Sequence, residues 1–406
     1  MNCRHCETPL TQTFVDLGFA PPSNAYLSGK DLSKHELYYP LKIKVCDRCW
    51  LVQTEDYTRA DELFNSDYAY FSSMSSSWLA HAKEYVEQMT ECLRLDGNSF
   101  VVEVASNDGY LLRNFMAKSI PCLGIEPTAS TAMAAKKIGI PVMQEFFGEA
   151  LGQQLANQGK QADLIIGNNV YAHVPDINDF TRGLKAVLKA DGVITLEFPH
   201  LMRLLEQAQF DTIYHEHFSY LSLHTVSRIF AASGLRVWHV EELPTHGGSL
   251  RVYGCHADDL RDSTDGLKVL LDEEIRQGMQ TIMPYAGFQQ RANKVKDDLL
   301  EFLLSVKKEG KSVVAYGAAA KGNTLLNYAG VKPDLLPFVC DVATSKQGKF
   351  MPGSHIPIFG PEAIIDARPD YVLILPWNIA SEVKDKLAPE LPGTPFMTAV
   401  PEIKAV

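Results

Sequence analysis

The sequence predicts an α/β protein with two Rossmann-like sheets behind a small N-terminal zinc-binding module, and three observations predict it. Phe100 to Pro127 reads as a buried strand, a polar turn, a helix and a second strand that ends on Glu126. Ser312 to Thr324 repeats the order of strand, glycine turn and helix. Ahead of both stand two knuckles, Cys3-x-x-Cys6 and Cys46-x-x-Cys49. A chain of 406 residues suggests roughly two to four domains, and a hydrophobic content of 46% supplies several cores. A formal charge of -11 argues against nucleic acid as a partner, because phosphate binding needs a basic face. No apolar run approaches the ~20 residues of a membrane span. The N-terminus lacks the apolar stretch of a signal peptide. The expectation is a soluble, cytoplasmic protein that binds no membrane.

Each knuckle offers two thiolates to one tetrahedral centre, a pattern that reads as structural zinc held by Cys3, Cys6, Cys46 and Cys49. A disulfide pair and an iron–sulfur centre are the alternatives, and a reducing compartment disfavours the first. Cys92, Cys122, Cys255 and Cys340 lie in apolar segments and read as buried thiols. A closed four-thiolate site has no open position for chemistry, so the metal should hold together a module whose own core is small. That module spans 1–62, with extended segments at Phe14–Leu17 and Leu41–Val45.

The central domain is expected over 63–245. A polar and aromatic stretch, Asn65 to Ser73, leads into a helix from Ser77 to Leu95. In the sheet that follows, Glu126 ends the second strand, where an acid can accept hydrogen bonds from a ribose diol. The turn Ser106-Asn107-Asp108-Gly109 lacks the glycine fingerprint that cradles a pyrophosphate. A nucleoside cofactor without phosphates, S-adenosylmethionine, therefore fits better than NAD. Glu103, Asn107, Asp108, Gly109, Glu126 and Pro127 are its candidate contacts. Further strands are expected at Ala162–Gly167, Gly192–Phe198 and Arg236–Glu242, with a helix at Asp179–Leu188. Asn168 and Asn169 follow a strand directly, at the carboxyl edge where α/β ligands bind, and join the cofactor set.

The third block, 246–406, opens with a helical segment from Thr264 to Lys308, broken near Met283-Pro284. Strands at Leu336–Cys340 and Tyr371–Leu375 complete its sheet. Backbone N–H groups after Tyr316, with Lys321 at a helix start, make an anion site suited to a nucleotide diphosphate. NAD is weakened there because alanine stands at the second fingerprint glycine.

One cluster lies between the two sheets: Asp211-Thr-Ile-Tyr214-His215-Glu216-His217-Phe218-Ser219-Tyr220. It lacks the H-E-x-x-H spacing of a helical metal site, although His215 and His217 on an extended segment could share a face. Acid–base chemistry is the stronger reading, because the ordinary imidazole pKa suits proton abstraction near neutrality.

Taken in order, these motifs resemble the zinc-containing C-methyltransferases of unusual-sugar biosynthesis, which act on nucleotide-linked keto-deoxysugars. The likeness covers nearly all of the chain. It runs through both knuckles, Tyr68–Ser73, Glu103–Gly109, Gly124-Ile-Glu126-Pro127, His173, Glu216-His217-Phe218, His246-Gly247-Gly248, Tyr316–Lys321 and Trp377-Asn378. It departs at Ala105-Ser106, where relatives more often carry glycine and a small residue, and at His215, where an acid is common.

The resemblance implies transfer of a methyl group from S-adenosylmethionine to a carbon next to the ketone of a 4-keto-deoxysugar. C3 is favoured over C5, and a dTDP-linked sugar over others. It implies His217 as base with Glu216 orienting it, and Tyr214, Tyr68 and His173 holding the ketone and enolate oxygens. Tyr70, Ser72, Ser73, His246, Gly247, Arg251, Tyr316, Lys321, Asn323 and Asn378 are the implied substrate contacts. The expected state is a monomer or weak homo-oligomer. The competing readings are an NAD-dependent nucleotide-sugar oxidoreductase or epimerase and a non-catalytic zinc-containing binding protein.

Overall fold

Apolar residues spaced along Gln12–Ala20 (β1) and Tyr39–Val45 (β2) make an antiparallel pair, extended by Val52–Thr54 (β3). The knuckles flank this sheet. The computed structural model describes residues 1–55 and 71–406. Tyr68 and Tyr70 lie outside the described residues.

The helix Ser76–Cys92 opens the central domain, with the Ser75 hydroxyl accepting from the Trp78 N–H as its cap. Strands β4 (Val101–Val104), β5 (Cys122–Ile125), β6 (Val142–Met143) and β7 (Ala162–Asn168) are buried runs joined by helices. β8 spans Leu188–Pro199, four residues longer at its start than expected from Gly192. β9 (Ser219–Tyr220) leaves this sheet and pairs with β3, closing the first sheet in the order β1-β2-β3-β9. β10 (Leu235–Leu243) and β11 (Ser249–His256) return as an antiparallel hairpin. The central order is β10-β11-β8-β7-β4-β5-β6.

The expected boundary at 245–246 falls between β10 and β11. A break there would cut the β10–β11 hairpin, and β11 also pairs with β8 from Ser249↔Pro199 to Gly254↔Ile194. The central sheet therefore continues to His256.

The expected long helical segment comes as Asp265–Arg276, Met283–Ala286 and Phe288–Lys308. Pro284 sits in the first turn of the short middle piece, where its missing N–H costs nothing. The last sheet runs β14-β13-β12-β15-β16-β17, with β12 at Val313–Tyr316, β13 at Val339–Cys340, β14 at Ile358–Phe359, β15 at Tyr371–Ile374, β16 at Phe396–Thr398 and β17 at Lys404–Ala405. All its pairings are parallel except that of β17. β13 is shorter than the expected Leu336–Cys340 because Pro337 has no N–H to give a ladder. No helix among the described residues is long and apolar enough to cross a membrane.

A buried hydrogen-bonded pair, His200 and Glu274, ties the third block to the central domain. Glu274 accepts from His200 Nε2 at 2.7 Å and from the N–H groups of Leu223 and His224, which open the helix Leu223–Ala232. Both side chains are fully buried. Glu274→Ala would strand an imidazole and two amides in the interior. It should lower stability by about 3–5 kcal/mol in urea unfolding, the range for breaking a buried pair.

Candidate active site

The carboxyl ends of β4 and β7, where the central strand order reverses, face the carboxyl ends of β12 and β15 across a cavity of about 810 Å³. That is at the upper end for a single small-molecule pocket and leaves room for two ligands. Asn107, Glu126, Pro127, Asn168 and Asn169 line one side, and Lys321, Trp377 and Asn378 the other. Between them the segment after Asp211 contributes Thr212, Tyr214, Glu216 and His217, with His173 and His246 alongside.

On the cofactor side, Glu126 Oε2 accepts from the Asn107 N–H and Oε1 from the Thr128 N–H, each at 2.9 Å. The carboxylate is thus anchored at the cavity wall with lone pairs left to accept from hydroxyls. Both amide atoms of Asn168, and Oδ1 of Asn169, are buried with no protein partner. Buried polar atoms of this kind call for a polar ligand. Three expected contacts lie behind the wall instead. Glu103 sits within β4, and burial pushes its carboxyl well above the usual range, aided by Glu126 and Asp108. Asp108 accepts from the Ser73 N–H. Gly109 has φ +79°, and a Cβ there would come within 2.8 Å of Ile140.

On the catalytic segment, His217 Nδ1 lies 2.8 Å from the Thr212 carbonyl, which can only accept. The proton is therefore on Nδ1, and Nε2 carries the lone pair. Burial, then the neighbouring His173, holds this imidazole well below its ordinary pKa. The expected orienting role of Glu216 is corrected by this geometry. Its Oε2 accepts from Asn24 Nδ2 at 2.8 Å, and the Thr212 carbonyl holds His217. Burial pushes Glu216 up to about 7 against the Asn24 hydrogen bonds. His173 donates from Nδ1 to the Glu216 carbonyl at 2.8 Å and is brought down by burial to about 4. Tyr214 lies over His217, ring centroids 3.9 Å apart. His215 turns away, its Nε2 3.2 Å from the Pro40 carbonyl, so the two imidazoles share no metal face.

On the facing sheet, Lys321 Nζ donates to Asn378 Oδ1 at 2.7 Å and lies 4.6 Å over the Trp377 ring. His246 accepts from Asn169 Nδ2 at Nε2, 3.1 Å away, and burial lowers it to about 4. Ser72 reaches the cavity, its N–H held by Asn107 Oδ1. Five expected substrate contacts do not line it, the first being Ser73, whose N–H goes to Asp108 Oδ2. Arg251 is buried against Glu197 and Glu241 at 3.0 and 3.1 Å, a structural ion pair. Tyr316 packs in the apolar layer of its sheet. Asn323 donates to the Ser23 carbonyl. Gly247 makes space, since a Cβ there would stand 2.2 Å from the Trp377 indole.

Reasoning from the sequence missed Asn24 and Trp78 as parts of this site, and named Asp211 and Trp377 only within motifs, without a role. Trp377 follows β15 directly, so the carboxyl-edge argument used for Asn168 would have given it one. Asn24 meets Glu216 across 192 positions and has no local signal.

The four cysteine sulfurs lie within 4.8 Å of one another, with Cys3–Cys49 and Cys6–Cys46 at 3.5 Å. Zn–S bonds of 2.3 Å set tetrahedral sulfurs about 3.8 Å apart, so this donor set fits zinc. Of the other cysteines, Cys122, Cys255 and Cys340 are buried as expected, while Cys92, the last residue of its helix, is exposed.

The chain matches three family models: a zinc binding domain over residues 3–64, a methyltransferase domain over 78–240 and a C-methyltransferase C-terminal domain over 244–401. It is 34% identical over 405 residues to the C-methyltransferase NovU of Streptomyces niveus, covering 100% of this chain and 96% of that one. Solved structures resemble it more loosely. The YcgJ protein of Bacillus subtilis aligns at 12% identity over 44% of this chain and 100% of its own, with a TM-score of 0.35. The magnesium protoporphyrin IX methyltransferase of Synechocystis aligns at 14% over 44% and 83%, with a TM-score of 0.34. Scores that low carry no argument. The sequence relatives do, and they resolve the competing readings in favour of C-methylation with S-adenosylmethionine as donor and zinc as a structural metal.

Metal analysis of purified protein should find about one zinc per chain, and Cys46→Ser should reduce folded yield more than the turnover of what folds. Glu126→Ala should weaken binding of the methyl donor or its demethylated product by roughly 1.5–3 kcal/mol in calorimetry, as for a lost hydrogen bond to a charged group.

Proposed function

The chain belongs to the zinc-containing, S-adenosylmethionine-dependent C-methyltransferases, and we propose that it methylates a carbon next to the ketone of a nucleotide-linked 4-keto-deoxysugar. C3 is the favoured position and a dTDP-sugar the favoured substrate, in the cytoplasm. The observation that carries this reading is the placement of His217. Its lone-pair nitrogen belongs to a neutral imidazole on a wall shared by a nucleoside-type site and a lysine-bearing site.

A sugar C–H is acidic enough to lose only beside a carbonyl, so the chemistry needs a base and donors for the enolate oxygen. His217 Nε2 takes the proton, and the C–H electron pair passes to the ketone oxygen as an enolate. Tyr214, with Tyr68 by resemblance, donates toward that oxygen, whereas His173 has its one proton on the Glu216 carbonyl and lines the pocket as an acceptor. The donor supplies an electrophilic methyl on a sulfonium. The enolate carbon forms the new C–C bond as the S–CH3 bond breaks, which restores the ketone. The proton on His217 then leaves to solvent. Lys321 and the helix start at Ala320 hold the diphosphate, so that both substrates are aligned before reaction.

A depressed pKa makes His217 a weaker acceptor than an ordinary imidazole, but it also keeps the ring unprotonated in the free enzyme. An anionic substrate entering the same cavity pulls that pKa back toward neutrality. Glu216, at about 7, is the second candidate for the base.

Proton exchange from the keto sugar into heavy water, with the demethylated cofactor bound, isolates the first step. His217→Asn should slow exchange and turnover together by about 10²–10⁴-fold while both ligands still bind. Loss of exchange in Glu216→Gln with exchange intact in His217→Asn would reassign the base to the carboxylate. In wild type, kcat/KM should persist below pH 6.5, since a lowered folded pKa keeps His217 neutral until pH falls through it. An acid-side decline centred near pH 7 would point to ionised Glu216.

A further inference from the structure

Asp211 is a buried carboxyl that the proposed chemistry does not use. It begins the catalytic segment, has no exposed surface, and leaves Oδ1 without a partner. Its Oδ2 accepts from the Trp377 indole N–H at 2.7 Å. Lys321 Nζ stands 4.6 Å over that same ring, and its hydrogen-bond partner is the neutral Asn378 amide. No salt bridge to Lys321 occurs among the described residues. The cation and the carboxylate thus share one indole without touching.

We infer that Asp211 is a positioning residue for substrate binding: from the N–H edge of the ring it locks Trp377 and sustains the charge of Lys321, so the ammonium stays available to a nucleoside diphosphate. The inference rests on the proposed substrate class. A carboxylate paired directly with Lys321 would compete with the incoming anion. A lysine with no negative charge nearby would lose its proton more readily on burial. Holding the carboxylate at the N–H edge of the indole avoids both outcomes, and the ring face itself favours a cation.

The electrostatics agree with the geometry. Burial lowers the Lys321 pKa, and Asp211 opposes that shift. Asp211 is itself raised to about 6 by burial, against the pull of Lys321 and the indole hydrogen bond. Lys321 in turn lowers His217 and His246, both of which burial depresses first. Glu216, Lys346 and Glu382 line the same cavity. None of these is a bonded counter-ion for Lys321.

The test is calorimetric titration of thymidine and uridine diphosphates into zinc-loaded protein from pH 6 to 10, with no turnover required. Wild type should bind a nucleoside diphosphate and lose it as pH rises through the Lys321 pKa. In Asp211→Asn, which keeps an acceptor for the indole, that upper limb should move down by about one pH unit, the low end for removal of a nearby opposite charge. Affinity on the acid side should be equal or tighter. Trp377→Phe, which keeps the ring but removes the N–H, should weaken binding at every pH without moving the limb. Affinity for the demethylated cofactor, measured on each variant, reports an intact fold. Tight diphosphate binding by wild type with an unmoved limb in Asp211→Asn would overturn the role given to Asp211 alone. Failure of wild type to bind any nucleoside diphosphate would overturn the substrate reading and this inference with it.

Discussion

The pairing of β3 with β9 is the constraint on which the catalytic segment depends. Val52 pairs with Tyr220 and Gln53 with Ser219, directly after Glu216-His217-Phe218. Gln53 also reaches the metal ligands: its Nε2 donates to Cys3 Sγ at 3.2 Å, and its Oε1 accepts from the Arg4 N–H at 2.9 Å. Phe218 is held from both sides, its carbonyl by the Thr54 N–H and its N–H by the Ala172 carbonyl. A strand that slips by one residue turns every side chain to the other face. Here such a slip would carry His217 out of the cavity. The zinc site, with no open position for chemistry, is joined to that register through Gln53.

The second organising feature is the meeting of two topological switch points. A doubly wound sheet binds ligands where its strand order reverses, at the carboxyl ends. The central sheet reverses between β4 and β7, and the last sheet between β12 and β15. Facing these crevices across one cavity brings two ligands together without a dedicated binding domain for either. The overall charge of -11 would repel an anionic sugar nucleotide, so a local cation has to offset it. Lys321 and Lys346 line the cavity on the side of the last sheet.

Much of this was legible in the sequence because the signals were local. The Cys-x-x-Cys spacing, the acid ending β5 and the paired asparagines ending β7 each declare a role within a few residues. So does the break at Met283-Pro284. What could not be read depended on contacts between distant segments. Arg251 looks like an anion ligand until β11 is seen packed beside β8, with Glu197 at its guanidinium. Glu216 beside His217 in sequence suggested an orienting carboxylate, but the two sit at a turn closed by the His217 N–H on the Tyr214 carbonyl, and their side chains take different partners. The carboxylate goes to Asn24 and the imidazole to a carbonyl five residues back. Gly247 was legible as important, but as a contact rather than as space for Trp377. His200 and Glu274 carry no motif at all, and only their burial together reveals the pair.

The cofactor turn shows how a departure from the family pattern is accommodated. Ala105 and Asn107 both take left-handed conformations, φ +57° and +49°, where glycine would be unstrained. Such residues cost of order 1–3 kcal/mol each and persist only when their surroundings over-determine them. Here the restraints are visible. Glu126 accepts the Asn107 N–H, while Asn107 Oδ1 and Asp108 Oδ2 accept from the N–H groups of Ser72 and Ser73. Gly124 on β5 leaves space for Ser106, since a Cβ there would stand 2.4 Å from its hydroxyl. The same hydrogen bonds that hold the turn therefore also hold the segment leading to Ser75 and Trp78, which line the cavity. A ligand that fixes Glu126 thereby stiffens the Ser72–Ser73 edge of the cavity, and the cofactor site and that edge act as one unit.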